Sequence, residues 1–315
     1  MTKKFSVAIV GATGLVGKTM LNVLHERKFP IKELVLFGAI DSEIDTPFGK
    51  KQVYELNGQN VYHNSCDFAL FAVNDDISVK YAQIFATMGA IVIDNSAAWR
   101  LDDNVPLVIP EVNPSDARIH NGIIANPNCT TIQILTAISP LHRNFGIDRM
   151  VVSTYQSVSG AGMQALSDLE SGEAVAFDRQ IKNNLLPKIG SYLWGGYTNE
   201  ELKIKNETHK ILSKSIKVNA TCVRVPTSNC HGATINIKLN TPCSLRDVSN
   251  VLTASPSIII SDSPTPLDAI GSDIVFVGRL RRDETIENGF SLWTVADNLR
   301  KGAATNAVQI AELFI

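Results

Sequence analysis

Cys129 is the strongest candidate nucleophile in this chain. It stands in Asn126-Pro127-Asn128-Cys129-Thr130-Thr131, directly ahead of a run in which Ile132, Leu135, Ile138 and Leu141 recur at helical spacing. A Pro-Asn turn opening a helix puts the sulfur at the positive end of the helix dipole, which favours thiolate over thiol. The competing role is that of a buried structural cysteine. It suits Cys66, Cys222, Cys230 and Cys243 better, but position alone leaves the two roles evenly balanced for Cys129.

The second chemical feature is Gly11, Gly14 and Gly17, a G-x-x-G-x-x-G variant of the dinucleotide fingerprint. Glycines let the backbone approach a pyrophosphate, whose charge is then met by a helix N-terminus. A tight turn without a ligand is the plainer alternative, and the strand before it and helix after it favour the cofactor. Asp41, Glu43 and Asp45 follow the second expected strand, where an acid would hold a ribose 2′-hydroxyl, so local charge points to NAD. A thiol beside a nicotinamide implies aldehyde-level redox chemistry through a thioester, which calls for an acid/base group. Of six histidines, at 25, 63, 120, 142, 209 and 231, the last is the candidate; it is read as a loop residue joining two strands in Ser228-Asn229-Cys230-His231-Gly232.

Elements that would position these groups follow from the apolar pattern. Phe5 to Val10, Leu34 to Phe37, Phe68 to Val73, Ile91 to Asp94 and Ile123 to Ala125 read as buried strands. Helical patterns lie between them, one beginning with Val16, Met20, Val23 and Leu24 and another over Ile77 to Met88. Strands alternating with helices predict an α/β fold with a doubly wound parallel sheet, a Rossmann-type nucleotide-binding domain. Beyond Asn126 come longer alternating strands: Arg149 to Tyr155, Val218 to Val225, Thr234 to Leu239, Asp273 to Gly278 and Phe290 to Ala296. These predict an α+β domain with a mixed or antiparallel sheet. The terminal segment Asn298 to Ile315 carries Ala303, Ala307, Ile310 and Ala311 at helical spacing and is expected to return to the first domain, giving 1–126 plus 298–315 and 127–297.

Composition narrows the partners. Lys plus Arg is 29 against 31 Asp plus Glu, a net charge of −2 with no block of one sign, which removes the electrostatic footprint of nucleic-acid or anionic-membrane binding. Five cysteines form no C-x-x-C pair, so neither a disulfide framework nor a metal site is indicated. With no signal-peptide pattern and no membrane-length apolar stretch, a cytoplasmic protein acting on a small molecule is expected.

Several separated motifs together resemble the aspartate-β-semialdehyde dehydrogenase family. They are GATGLVG at 11–17, IVIDNSAAWR at 91–100, LVIPEVNP at 107–114, NPNCTTIQ at 126–133 and VSTYQSVSGAG at 152–162. The match continues with EELKIKNETHKIL at 200–212, TCVRVPTSNCHG at 221–232 and the stretch 277–312. The resemblance implies NADPH-dependent reduction of L-aspartyl-4-phosphate to L-aspartate 4-semialdehyde with release of phosphate, feeding lysine and diaminopimelate, methionine, threonine and isoleucine synthesis. It implies a homodimer or homotetramer, and NADP as cofactor with NAD as the other candidate.

By the same resemblance Cys129 would carry the aspartyl thioester, His231 would act as acid/base and Gln156 would orient the acyl group. Arg224 would pair with the substrate α-carboxylate and Glu200 with its α-ammonium, while Arg100, Asn128 and Lys203 would bind the phosphate. Cofactor contacts would come from Gly11, Thr13, Gly14, Leu15, Val16 and Gly17, from Ser159 and Gly160, and from Asn298. The chain departs from the family in four places, one of them the region between Gly162 and Asn184, which is shorter than in typical members and touches a segment that usually helps form the dimer. Gly38 to Glu43 holds no arginine for a 2′-phosphate, Asn74-Asp75-Asp76 stands where small residues are usual, and no acid follows His231 by two positions. A related acyl-phosphate reductase, such as N-acetyl-γ-glutamyl-phosphate reductase, is disfavoured by Glu200 and Arg224, since an acetylated amine offers no ammonium. A non-catalytic paralogue is disfavoured by the presence of Cys129.

Overall fold

Strand β1 (Phe5–Val10) is almost wholly buried and ends on Gly11, where the chain turns tightly into helix α1 (Leu15–Glu26). The computed structural model describes residues 3–315. Gly11 takes φ +89°, and a β-carbon there would stand 2.4 Å from the carbonyl oxygen of Ala72. At Gly17 a β-carbon would lie 2.2 Å from the carbonyl oxygen of Gly11. Both glycines are therefore required by close backbone approach, whereas Gly14 has nothing nearer than 3.5 Å.

The chain divides into two units, Met1–Pro127 with Ala303–Ile315, and Asn128–Gly302. In the first unit β2 (Ile31–Gly38), β3 (Ser42–Thr46), β4 (Gly49–Glu55), α2 (Gly58–His63), β5 (Phe68–Phe71), α3 (Asp75–Thr87), β6 (Ile91–Asp94) and β7 (Ile123–Ala125) follow α1. They build a seven-stranded sheet in the order β3-β4-β2-β1-β5-β6-β7, parallel throughout except for β3 against β4. Strand order reverses between β1 and β5, so the glycine turn after β1 lies at the switch point where nucleotides bind in such sheets. The sequence pattern did not show β3, β4 and α2. The two strands form a charged edge hairpin with Glu43, Asp45, Lys50 and Lys51, and edge strands of that kind lack the apolar run that marks a buried one.

In the second unit α4 (Cys129–Phe145), β8 (Ile147–Gln156), α5 (Met163–Ser171), α6 (Asn199–Ile211), β9 (Lys217–Arg224) and β10 (His231–Leu239) are followed by α7 (Leu245–Thr253), β11 (Ile258–Ile260), α8 (Pro266–Ala269), β12 (Val275–Asp283) and β13 (Gly289–Ala296). The six strands run in the order β11-β12-β13-β10-β8-β9, a mixed sheet. Helix α4 is buried from Thr130 to Leu141 and packs on the sheet through β8, β10 and β13.

The last helix, α9 (Thr305–Glu312), belongs to the first unit. Ala307, Val308, Ile310 and Ala311 join Met20, Val23, Leu24, Val7 and Ile9 in one core. Arg27 donates to both carboxylate oxygens of Glu312 at 2.8 and 2.6 Å, and the Asn306 amide donates to the Val108 carbonyl and to Asn126 Oδ1. No helix among the described residues is long and apolar enough to cross a membrane, and no group of His, Cys, Asp and Glu there could hold a metal ion.

Adding one methyl at Gly17 forces backbone against backbone. Gly17→Ala should lower stability by about 1–3 kcal/mol in urea unfolding, while Gly14→Ala should leave the unfolding midpoint near that of the parent.

Candidate active site

Helix α4 begins on Cys129 because Asn128 caps it. Asn128 Oδ1 accepts from the amide N–H groups of Thr130 at 2.9 Å and Thr131 at 3.3 Å. The Asn128 N–H donates to Glu207 Oε2 at 2.7 Å, and its Nδ2 donates to Glu200 Oε1 at 2.8 Å. The thiol is half-buried at the first turn. A β-carbon on Gly302 would come within 3.0 Å of Cys129 Cβ, so only glycine lets the chain pass there without displacing it. The other thiols are poorly suited to ionise: burial pushes Cys66, Cys222 and Cys230 up to about 12, and burial with Asp247 raises Cys243.

Glu200, in the first turn of α6, is the hub of the site. Its Oε1 accepts from Asn128 Nδ2 and, at 3.3 Å, from Gln156 Nε2 at the end of β8; Lys203 Nζ lies 3.3 Å from Oε2. Burial alone would raise its pKa. The Lys203 ammonium, the Asn128 and Gln156 amides and the Arg224 guanidinium outweigh burial and hold the carboxylate below the ordinary range. Glu207 was not foreseen as part of this frame, although it lies in the 200–212 motif.

Arg224 ends β9. Its Nη1 donates to the Ser157 carbonyl at 2.7 Å, and its buried Nε has no partner. Burial lowers its pKa, against the opposing charges of Glu200, Cys129 and Cys222. His231 is the first residue of β10, not part of a loop, because Cys230 just before it absorbs the turn at φ +67° with its N–H donating to Asn298 Oδ1 at 2.9 Å. The ring is fully buried. Its Nδ1 accepts from the Ser157 N–H at 3.0 Å, with Ser157 Oγ at 3.1 Å, and its Nε2 has no partner. Burial and the Arg224 charge push the ring down to about 3. A β-carbon on Gly160 would stand 3.2 Å from Arg224 Nη1 and 3.3 Å from His231 Nε2, so this glycine borders both groups.

Two residues read from sequence as cofactor contacts are braced within this unit. Asn298 Oδ1 accepts from Ser157 Oγ and from the Cys230 N–H, and its Nδ2 donates to Ser159 Oγ at 3.0 Å. Ser159 Oγ also lies 3.3 Å from Asn229 Oδ1. Ser157 was not singled out beforehand, although it sits inside the 152–162 motif; its role is invisible without the fold that brings residue 231 to it.

The remaining predicted residues belong to the first unit. Arg100 is buried and donates from Nε to the Asn126 carbonyl at 3.0 Å and from Nη2 to the Asn95 carbonyl at 2.7 Å. Thr13 is exposed, and Gly14 opens α1 as an N-cap without a side-chain hydrogen bond, with no acid in the first turn. A helix N-terminus behind a glycine turn, with no side-chain cap and no acid in its first turn, fits a dinucleotide phosphate. Asn74 caps α3 through the Ile77 N–H, and Asp75 Oδ1 accepts from the Ala97 N–H at 2.7 Å, which gives this departure from the family pattern a structural use.

Comparison with known proteins adds to this geometry. Two family models match: semialdehyde dehydrogenase, NAD binding domain, over residues 6–120, and semialdehyde dehydrogenase, dimerisation domain, over residues 138–301. The aspartate-semialdehyde dehydrogenase of Aquifex aeolicus is 48% identical, with 99% of this chain and 98% of that protein aligned. Aspartate-semialdehyde dehydrogenase 2 of Vibrio cholerae is 44% identical, with 100% and 99% aligned. The crystal structure of aspartate semialdehyde dehydrogenase II from Vibrio cholerae complexed with ASA superposes with a TM-score of 0.96 at 41% identity, covering 99% of this chain and 98% of that one.

The buried ring makes stability pH-dependent. His231 in the unfolded chain takes a proton near the ordinary histidine value of 6.5, whereas the folded ring refuses it down to about 3. Stability at this group is therefore intact above about pH 6.5 and is lost as pH falls through that window. Between pH 7 and pH 5 the parent should lose about 2 kcal/mol more than His231→Gln in urea unfolding.

Proposed function

The chain belongs to the aspartate-semialdehyde dehydrogenase family, and on that footing we propose that Cys129 carries the aspartyl group as a thioester while L-aspartyl-4-phosphate is reduced to L-aspartate 4-semialdehyde. The observation that supports this most directly is the pair of buried, unpaired donors, Arg224 Nε and His231 Nε2. Leaving a buried donor unsatisfied costs about 1–3 kcal/mol. A substrate bearing both a carboxylate and an acyl oxygen would satisfy both at once. The Vibrio cholerae neighbour holds ASA, which supports an aspartyl substrate here.

In this reading Arg224 pairs with the α-carboxylate, and its planar fork suits that partner better than an ammonium would. Glu200, kept ionised by its neighbours, receives the α-ammonium. Gln156 orients the acyl group and His231 acts on its oxygen from Nε2. Lys203, Asn128 and Arg100 serve the leaving phosphate. The Asn128 and Arg100 side-chain donors named above already have protein acceptors, so Lys203, paired with Glu200 and partly exposed, is the more accessible of the two charges. The nicotinamide, when bound, supplies the hydride that reduces the thioester.

We propose NADP as the cofactor, held at the phosphates by the turn Gly11 to Gly17 and contacted by Ser159, Gly160 and Asn298. Residues 39–46 contain Asp41, Glu43 and Asp45 and no lysine or arginine, and Asp41 Oδ1 accepts from the Glu55 N–H at 2.7 Å. With no guanidinium there to reward a 2′-phosphate, discrimination against NAD is weak. The protein is proposed to work in the cytoplasm as a homodimer or homotetramer, supported by the dimerisation-domain match.

Cys129→Ser should reduce phosphate-dependent turnover of L-aspartate semialdehyde by about a thousandfold or more; turnover within tenfold of the parent would overturn the thioester reading. Steady-state kcat/KM for NADP and NAD, measured side by side, should differ by less than about tenfold. A ratio above a hundred in favour of NADP would show that some other residue receives the 2′-phosphate.

A further inference from the structure

We infer that His231 serves the reaction as a neutral imidazole whose proton stays on Nε2, and that Ser157 is the positioning residue that holds it in this state. The inference rests on the thioester reading above and narrows the acid/base role to its donor half. A backbone N–H can only donate, and that of Ser157 points at Nδ1 from 3.0 Å. Nδ1 must therefore present its lone pair, which leaves the ring proton on Nε2. Forming the imidazolium would set a second N–H against the Ser157 N–H around a ring that is fully buried.

The same residue holds the other unpaired donor. The Ser157 carbonyl accepts from Arg224 Nη1 at 2.7 Å, while its N–H and Oγ face His231. Ser157 cannot easily shift. It follows β8 directly, and the next residue, Val158, donates its N–H to the Thr227 carbonyl at 2.9 Å. Ser157 Oγ donates to Asn298 Oδ1, which also takes the N–H of Cys230, the residue before the histidine. One residue and one asparagine thus fix both free donors on a common frame beside Gly160. The charged groups acting on the ring from neighbouring elements are Arg224 on β9, which opposes its protonation, and Glu200 on α6, which favours it; burial and Arg224 prevail.

A donor that never gives up its proton is sufficient for the chemistry. The Cys129 thiolate adds to the acyl-phosphate carbon, forming the C–S bond and moving an electron pair onto the carbonyl oxygen, where Nε2–H meets it. Return of that pair breaks the C–O bond, and the departing phosphate takes one proton from solvent. A bound nicotinamide would supply the hydride for the thioester carbon, itself being oxidised, and the displaced electron pair would pass to the same oxygen. Its return breaks the C–S bond and gives aldehyde and thiolate. The balance needs a single proton, and that proton ends on phosphate.

The test is ¹⁵N NMR of ring-labelled protein, with the His231 signals assigned by their absence from His231→Gln. The expected result is a protonated Nε2 and a bare Nδ1 that do not titrate between pH 8 and pH 5. Ser157→Ala should move the Nδ1 resonance and lower kcat about tenfold with KM for the semialdehyde changed less than twofold. His231→Gln, which keeps an N–H donor, should retain at least ten times the kcat of His231→Ala. A ring that titrates near pH 6.5, a proton on Nδ1, or equal inactivity of the Gln and Ala variants would overturn the inference, as would Ser157→Ala leaving both the resonance and kcat unmoved. The ring-nitrogen outcomes are read independently of the nucleophile. If Cys129→Ser stays active, the thioester reading fails and takes this inference with it; if Cys129→Ser is dead and the ring titrates, only the histidine inference fails.

Discussion

The site is organised around one buried carboxylate. Glu200 is nearly inaccessible to solvent, and an ionised carboxylate in that position must be compensated from every side or it will take up a proton. The compensation comes from Asn128 at the start of α4, Gln156 at the end of β8, Lys203 one turn along α6 and Arg224 at the end of β9. Four elements are thereby bound to a single charge. Asn128 is the link that matters for Cys129, because the same side chain that donates to Glu200 caps the helix on which Cys129 is the first residue.

Against this satisfied centre, the two unsatisfied donors stand out. Arg224 and His231 are each bonded on one side, to the Ser157 carbonyl and the Ser157 N–H, and each keeps a buried nitrogen without a partner. Folding has paid to leave them so. An unpaired buried donor is a cost that a purely structural arrangement would relieve by rotation or by a neighbouring acceptor. Their placement by Ser157 keeps both nitrogens fixed, the kind of preorganised donor pair that the proposed acyl chemistry would use.

The first unit meets a different constraint. Its glycine turn is set by sterics, with Gly11 and Gly17 each facing a carbonyl oxygen at a distance no side chain allows. The helix start they create carries no side-chain cap and no acid. Asn74 and Asp75, which look ill-suited to a cofactor domain when read as bare residues, instead cap α3 and fasten the Ala97 amide.

Local apolar pattern and glycine sterics made the buried strands, the parallel sheet, the glycine turn and the terminal helix legible, whereas tertiary packing decides that the chain rejoins the first unit at Ala303 and leaves Asn298 to Gly302 in the second. Cys129 at a helix start was readable for the same reason: a Pro-Asn turn and a following amphipathic run are neighbours in sequence. The charged edge hairpin β3–β4 was not, because its residues carry no such pattern. Nor was the placing of His231 at the head of a strand, which turns on a left-handed Cys230 held by Asn298, sixty-eight residues away. Ser157, Glu207 and the protonation states of Glu200 and His231 were beyond reach altogether. They are set by burial and by partners drawn from distant segments, quantities that exist only once the sheet and helices have closed around them.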